Sequence, residues 1–240
     1  MKPAVFIVPG SYEGPKVFEP LADALRRRGF TTAHITSLKS TGTKPPDNPT
    51  LDDDIAAVAQ DLSSVVDRAG EQGVIAVMHS VGGVIGSAAL EGLGCSARKA
   101  AGKVGGVRKI VFIAASVFQQ GMEPGLLPFM VVNEAEGTHT CRDPLTMLFH
   151  DIPADEAKAW ARQLQPQPAT GWAKPVKYCG WMDVPSVYIL CEQDRLLPES
   201  LQEARAAAAG SDIVRLVGAG HMAQLSQTEE VARIISMQAE

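Results

Sequence analysis

The sequence predicts an α/β fold, a mainly parallel sheet flanked by helices with a small inserted cap. Three observations carry that expectation. Short apolar runs alternate with amphipathic stretches, several of the runs end in loops bearing Gly, Ser, Asp or His, and one long segment late in the chain breaks the rhythm. With 240 residues there is room for a single domain, read as a core of 1–117 and 184–240 around a cap of about 118–183.

Ala4-Val5-Phe6-Ile7-Val8 reads as a strand covered on both faces, ended by Pro9-Gly10-Ser11. Val17 to Arg28 follows with helical spacing (Phe18, Leu21, Ala22, Leu25), and Gly29 is well suited to close it. Thr32 to Ile35 fits a short second strand, and Leu38 to Thr50 reads as a loop. Thr50 then looks like a helix N-cap with Asp53 three residues on, so Asp52-Asp53-Asp54 reads as helix-start chemistry in preference to a metal site. The next strand, Val74 to Met78, runs into His79-Ser80-Val81-Gly82-Gly83 and a helix of small residues through Leu90. Lys109 to Ala115, Val187 to Cys191 and Ile213 to Val217 complete the expected strands. Within the cap segment, one helix is expected from about Ala154 to Leu164.

Composition narrows the function classes. A net charge of −5 argues against an electrostatic nucleic-acid binder. No apolar run approaches the ~20 residues needed to cross a bilayer, and the N-terminal stretch lacks the features of a signal peptide. A cytoplasmic location is therefore expected, with Cys95, Cys141, Cys179 and Cys191 reduced; they show neither a CxxC pair nor metal-ligand spacing. The expected partner is a small-molecule substrate, with no nucleic acid, no membrane, no cofactor and no metal; a homodimer is left open.

Three residues carry the chemistry. Ser80 stands at a strand-to-helix turn among small residues, where a nucleophilic hydroxyl can project above the sheet. Met78 stands where the G-x-S-x-G pattern has its first glycine, and Ser80 could also simply cap the following helix. Asp194 follows an apolar strand, with Glu192 a rival acid and Arg195 a possible surface partner. His221 lies in Gly218-Ala219-Gly220-His221, after the last strand. The order Ser, Asp, His is the order in which this architecture supplies nucleophile, orienting acid and base. The backbone N–H groups of Ser11 and Val81 are the expected oxyanion donors. Gly10, Tyr12, His79, Phe129, His150 and Met222 are expected around the substrate pocket, and His139 is a further candidate anchor.

Val8-Pro9-Gly10-Ser11, His79-Ser80-Val81-Gly82-Gly83, the run Val184 to Asp194 and Gly220-His221-Met222-Ala223-Gln224-Leu225-Ser226 together resemble the α/β-hydrolases that include plant methylesterases and hydroxynitrile lyases. The resemblance covers both core segments and is weak across the cap. It implies a Ser80–Asp194–His221 triad, no cofactor, and small ester or cyanohydrin-like substrates. Two departures matter. Pro9-Gly10 stands where members usually have His-Gly, and the lyase branch has Thr at the position of Gly10 and Lys at that of Met222. The expected activity is a carboxylesterase cleaving a small, mainly apolar ester or lactone through an acyl-enzyme on Ser80. A non-hydrolytic enzyme on the same frame (cyclase, lyase or acyl transferase) and a ligand-binding sensor are the alternatives.

Overall fold

The computed structural model describes residues 2–44 and 48–239. Positions 45–47 of the expected loop lie outside the described residues, as do Met1 and Glu240. Six parallel strands form the main sheet: β1 (Ala4–Val8), β2 (Ala33–Ile35), β3 (Val74–His79), β4 (Val107–Ile113), β8 (Ser186–Cys191) and β9 (Asp212–Leu216), in the order β2-β1-β3-β4-β8-β9. The predicted class is the observed one.

Alternation along these strands builds two cores. Val5, Ile7, Ile75, Val77, Val111, Ile113 and Ile189 face one side, and Phe6, Val8, Ala76, Met78, Ile110, Phe112 and Leu190 face the other. The first side is covered by α1 (Glu19–Arg27), α8 (Ala223–Ser226) and α9 (Thr228–Met237). The second is covered by α2 (Leu51–Ala69), α3 (Gly82–Ala88) and α7 (Glu199–Ala208). A strand buried on both faces needs apolar residues at every position, which is why these segments read as continuous apolar runs.

Boundaries shift for local reasons. The first helix is preceded by a 3-10 turn at Pro15–Phe18, and α1 proper begins at Glu19. Thr50 does cap α2: its side chain accepts from Asp53 N–H, and the Asp53 carboxylate accepts from Thr50 N–H at 2.8 Å. The acidic triplet is thus helix-start chemistry; Asp54 is spent separately, tying down Ser40. A six-residue helix, α4 (Cys95–Ala100), lies in the connection between α3 and β4. α6 (Ala154–Ala161) is shorter than expected.

Between β4 and β8 lies a segment with its own antiparallel sheet, β5 (Met130–Asn133), β6 (Thr138–Cys141) and β7 (Gln167–Pro168), together with α5 (Pro144–Met147) and α6. Leu148, Phe149 and Ile152 root it in the first core. Among the described residues, no helix is long and apolar enough to cross a membrane.

Candidate active site

Parallel register aligns the C-terminal ends of the strands at one rim, with Val8 beside Met78, His79 beside Ile113, and Cys191 beside Leu216. Ligands in such sheets are handled at this rim. Backbone strain collects there too. Tyr12, Ser80 and Ala114 have φ of 70°, 51° and 40°, and no other described non-glycine residue has positive φ. Each follows β1, β3 or β4, and left-handed backbone in residues with a Cβ is tolerated only where surroundings enforce it.

At Ser80 the enforcement is visible. Its N–H donates to Ile113 C=O at 3.3 Å, and its C=O accepts from Ser116 N–H at 2.8 Å and Gly83 N–H at 3.0 Å. The bend leads directly into α3, whose first residues pack against backbone. A Cβ on Gly82 would collide with the carbonyls of Pro9 and Val8, and one on Gly83 with that of Ser116. Met78, the departure from the glycine pattern, is fully buried with its thioether and methyl over Gly86; a Cβ there would lie 3.0 Å from Met78 Sδ. A large residue fits two positions before Ser80 because a glycine in α3 makes room for it.

Gly10 is the tightest contact behind the serine. A Cβ on it would sit 2.7 Å from Ser80 Cβ and 3.1 Å from both Glu13 Oε2 and His79 Nδ1. Gly10→Ala should therefore push the Ser80 side chain from its place, lowering kcat by roughly 10²-fold with little change in far-UV circular dichroism. Turnover within threefold of the parent would show that the loop yields instead.

Asp194 and His221 meet. His221 Nδ1 donates to Asp194 Oδ2 at 2.7 Å, both side chains being almost fully buried, with His221 1% exposed. Asp194 Oδ1 accepts from the N–H groups of Leu196 and Leu197 at 2.7 and 2.9 Å, so the carboxylate is fixed on both oxygens. Glu192, the rival acid, instead faces Arg215 at 4.0 Å. Ser80 follows His79 at the end of β3, and the ring centroid of His79 is 4.8 Å from that of His221. Among the described residues Ser80 Oγ makes no side-chain hydrogen bond, and His221 bonds through Nδ1 to Asp194. Ser11 N–H and Val81 N–H have no acceptor among the backbone hydrogen bonds of the described residues.

Two groups not anticipated for these roles hold the loops. The buried Glu13 carboxylate accepts from Gly10 N–H at 2.7 Å and from His79 Nδ1 at 3.0 Å, while His79 Nε2 donates to the carbonyl of His221 at 2.9 Å. Burial opposes a charge on His79, but the Glu13 charge and hydrogen bond outweigh it and hold the imidazole above its ordinary range. One ion pair thus ties the first loop to the histidine loop. His150 and Asp151 form a second tie. His150 Nε2 donates to Gln193 C=O at 2.9 Å, and Asp151 Oδ2 accepts from Gly220 N–H at 2.6 Å.

A cavity of about 490 Å³ opens beside Ser80, lined by Ser11, Val81, Phe118, Leu126, Phe129 and Leu197 among others. Of the six residues expected around the pocket, Phe129 lines it; the other five are corrected. Gly10 and His79 are packed behind the serine, and Met222 turns into the first core. His150 clamps the acid and histidine loops, and Tyr12 reaches the cavity only through its hydrogen bond to His139, which does line it. The glycine at 220 and the acidic residue beside His150 were the available signals for the clamp: a Cβ on Gly220 would lie 2.6 Å from Asp151 Oδ1.

The sequence matches the Alpha/beta hydrolase family over residues 5–234. The chain belongs to that family. Within it, the chain is similar to the alpha/beta hydrolase nvfD of Aspergillus novofumigatus, 28% identical with 98% of this chain and 96% of that protein covered. It is also similar to the probable hydrolase R7 of a Phoma species, 25% identical over 98% of this chain and 97% of the relative. Among solved structures, polyneuridine aldehyde esterase shares the fold, with a TM-score of 0.72, 18% identity and full coverage of both chains. The chain is thus an enzyme of the alpha/beta hydrolase family.

Proposed function

We propose that this alpha/beta hydrolase is a serine carboxylic-ester hydrolase that cleaves a small, mainly apolar ester or lactone through an acyl-enzyme on Ser80. The observation that carries the reading is the buried bond from His221 Nδ1 to a carboxylate already held by two backbone N–H groups. With Nδ1 committed as a donor, Nε2 is left with its lone pair, the form a general base requires.

In the proposed mechanism Ser80 Oγ attacks the ester carbonyl carbon as its proton passes to His221 Nε2. Asp194 stabilises the imidazolium so formed. The carbonyl oxygen becomes an oxyanion held by the N–H groups of Ser11 and Val81. Collapse breaks the C–O bond, and the departing alkoxide takes the proton from His221. Water then repeats the sequence on the acyl-enzyme, giving the acid and restoring Ser80. The apolar cavity walls support a mainly hydrocarbon substrate.

Ser80→Ala should lower turnover of 4-nitrophenyl butyrate by at least about 10³-fold with an unchanged melting temperature, and should abolish labelling by a fluorophosphonate probe. Retained turnover, or labelling that survives the substitution, would remove Ser80 from the mechanism.

A further inference from the structure

Apolar residues dominate the cavity wall, yet two ring nitrogens of residues on it, Trp172 Nε1 and His139 Nε2, have no hydrogen-bond partner among the described residues. His139, 6% exposed, stands on β6, its backbone paired with Val132 on one side and Gln167 on the other. The ring is thus mounted on a sheet, not a loop. Its Nδ1 lies 2.8 Å from the hydroxyl of Tyr12, and the two rings meet edge-on at 84°.

That contact decides the tautomer. Tyr12 is buried, 2% exposed, and its hydroxyl has no other acceptor among the described residues. Were the histidine proton on Nδ1, the tyrosine hydrogen would be enclosed with nothing to receive it, a loss larger than a hydrogen bond is worth. So Tyr12 donates to Nδ1, and the His139 proton sits on Nε2. Burial holds the imidazole below its ordinary range and the phenol above its own, so both are neutral near pH 7. Nε2 meets no acceptor among the described residues, and His139 walls the cavity while Tyr12 lies outside its lining.

Resting on the hydrolase reading above, we propose that His139 Nε2–H is a specificity anchor of the cavity. The substrate is then a largely apolar ester or lactone carrying a second acceptor oxygen, keto, ether or ester, away from the scissile carbonyl. The size of the space agrees. About 490 Å³ equals roughly sixteen waters at ~30 Å³ each, enough for a chain or ring system well beyond the reacting ester. A pure hydrocarbon in that space would cover the N–H and leave it unpaired, which is how buried polar groups reject analogues that lack their partner.

Binding is measured on the Ser80→Ala protein, which separates recognition from turnover. The probes are methyl octanoate and its 4-, 5-, 6- and 7-oxo analogues, by titration calorimetry. At least one oxo ester should bind about fivefold or more tightly than methyl octanoate, the worth of one neutral hydrogen bond. Adding His139→Phe should erase that preference while moving the methyl octanoate Kd less than twofold; His139→Met serves if the ring disturbs folding. His139→Gln, which can place an N–H near the same point, should restore part of the preference. No preference among the oxo esters, a preference that survives His139→Phe, or equal losses for all ligands would each overturn the assignment. If the preference holds but wild-type protein hydrolyses none of the esters, the hydrolase reading falls and the anchor stands.

Discussion

Asp194→Asn is expected to lower kcat by about four orders of magnitude at neutral pH while the protein stays folded. The reason lies in how the carboxylate is held. Oδ1 accepts from Leu196 and Leu197 N–H, so an asparagine keeps its carbonyl oxygen there and presents its NH₂ to His221 Nδ1. An NH₂ can only donate at that point. Nδ1 must then accept, the imidazole proton moves to Nε2, and the nitrogen that should receive the Ser80 proton has none of its lone pair free. Steady-state kinetics on an aryl ester gives the rate, and ¹⁵N chemical shifts of the imidazole give the tautomer. A drop of less than tenfold, with the tautomer reversed, would mean that His221 is not the base.

The second large effect falls on stability. Glu13→Leu leaves His79 buried without its carboxylate, and removing one member of a buried pair costs about 3–5 kcal/mol. For a chain of this length that is a fall on the order of 10 °C in melting temperature. Glu13→Leu combined with His79→Leu should recover much of the stability, since a buried pair replaced by apolar groups is often neutral. Activity should not return. Gly10 N–H and the His221 carbonyl would still lack their partners, and both loops would drift. The pH dependence has a definite sign. The folded imidazole of His79 titrates above its unfolded value, so the pair's contribution is complete below about pH 6.5 and fades as pH rises through the folded value. Melting temperatures of wild type relative to the double variant should therefore be highest in mildly acid buffer and decline toward alkaline pH. A flat difference would show that His79 does not carry the charge.

The sheet was readable because strands covered on both sides leave no position for a polar residue: Val5 to Val8, Ile75 to Met78 and Ile110 to Ile113 are all enclosed. Ser80 and Asp194 drew notice for a related reason, since each stands just beyond such a run, whereas His221 follows the largely exposed β9 and was singled out by its Gly-rich loop. The cap sheet was not. Met130 to Asn133 is largely exposed and pairs with a strand of mixed Thr, His and Cys, so neither alternation nor an apolar run marks it. The support of the site was hidden by sequence distance. Glu13 and His79 are 66 residues apart, and Tyr12 and His139 127 apart, so no local pattern announces either pair. His150 drew notice as a polar residue among apolar ones, but its role is backbone-directed, and only three-dimensional proximity to Gln193 reveals it.

The clamp formed by His150 and Asp151 makes the roof a structural parent of the machinery beneath it. The same segment that helps to wall the cavity also fixes the turns that carry Asp194 and His221. A chimera that borrows another enzyme's roof to change selectivity would unfasten those turns unless the two adjacent side chains were grafted along with it. Tolerance to exchange therefore belongs to the β5–β6 flank, where Val131 and Val132 face solvent, and not to the base of the insertion.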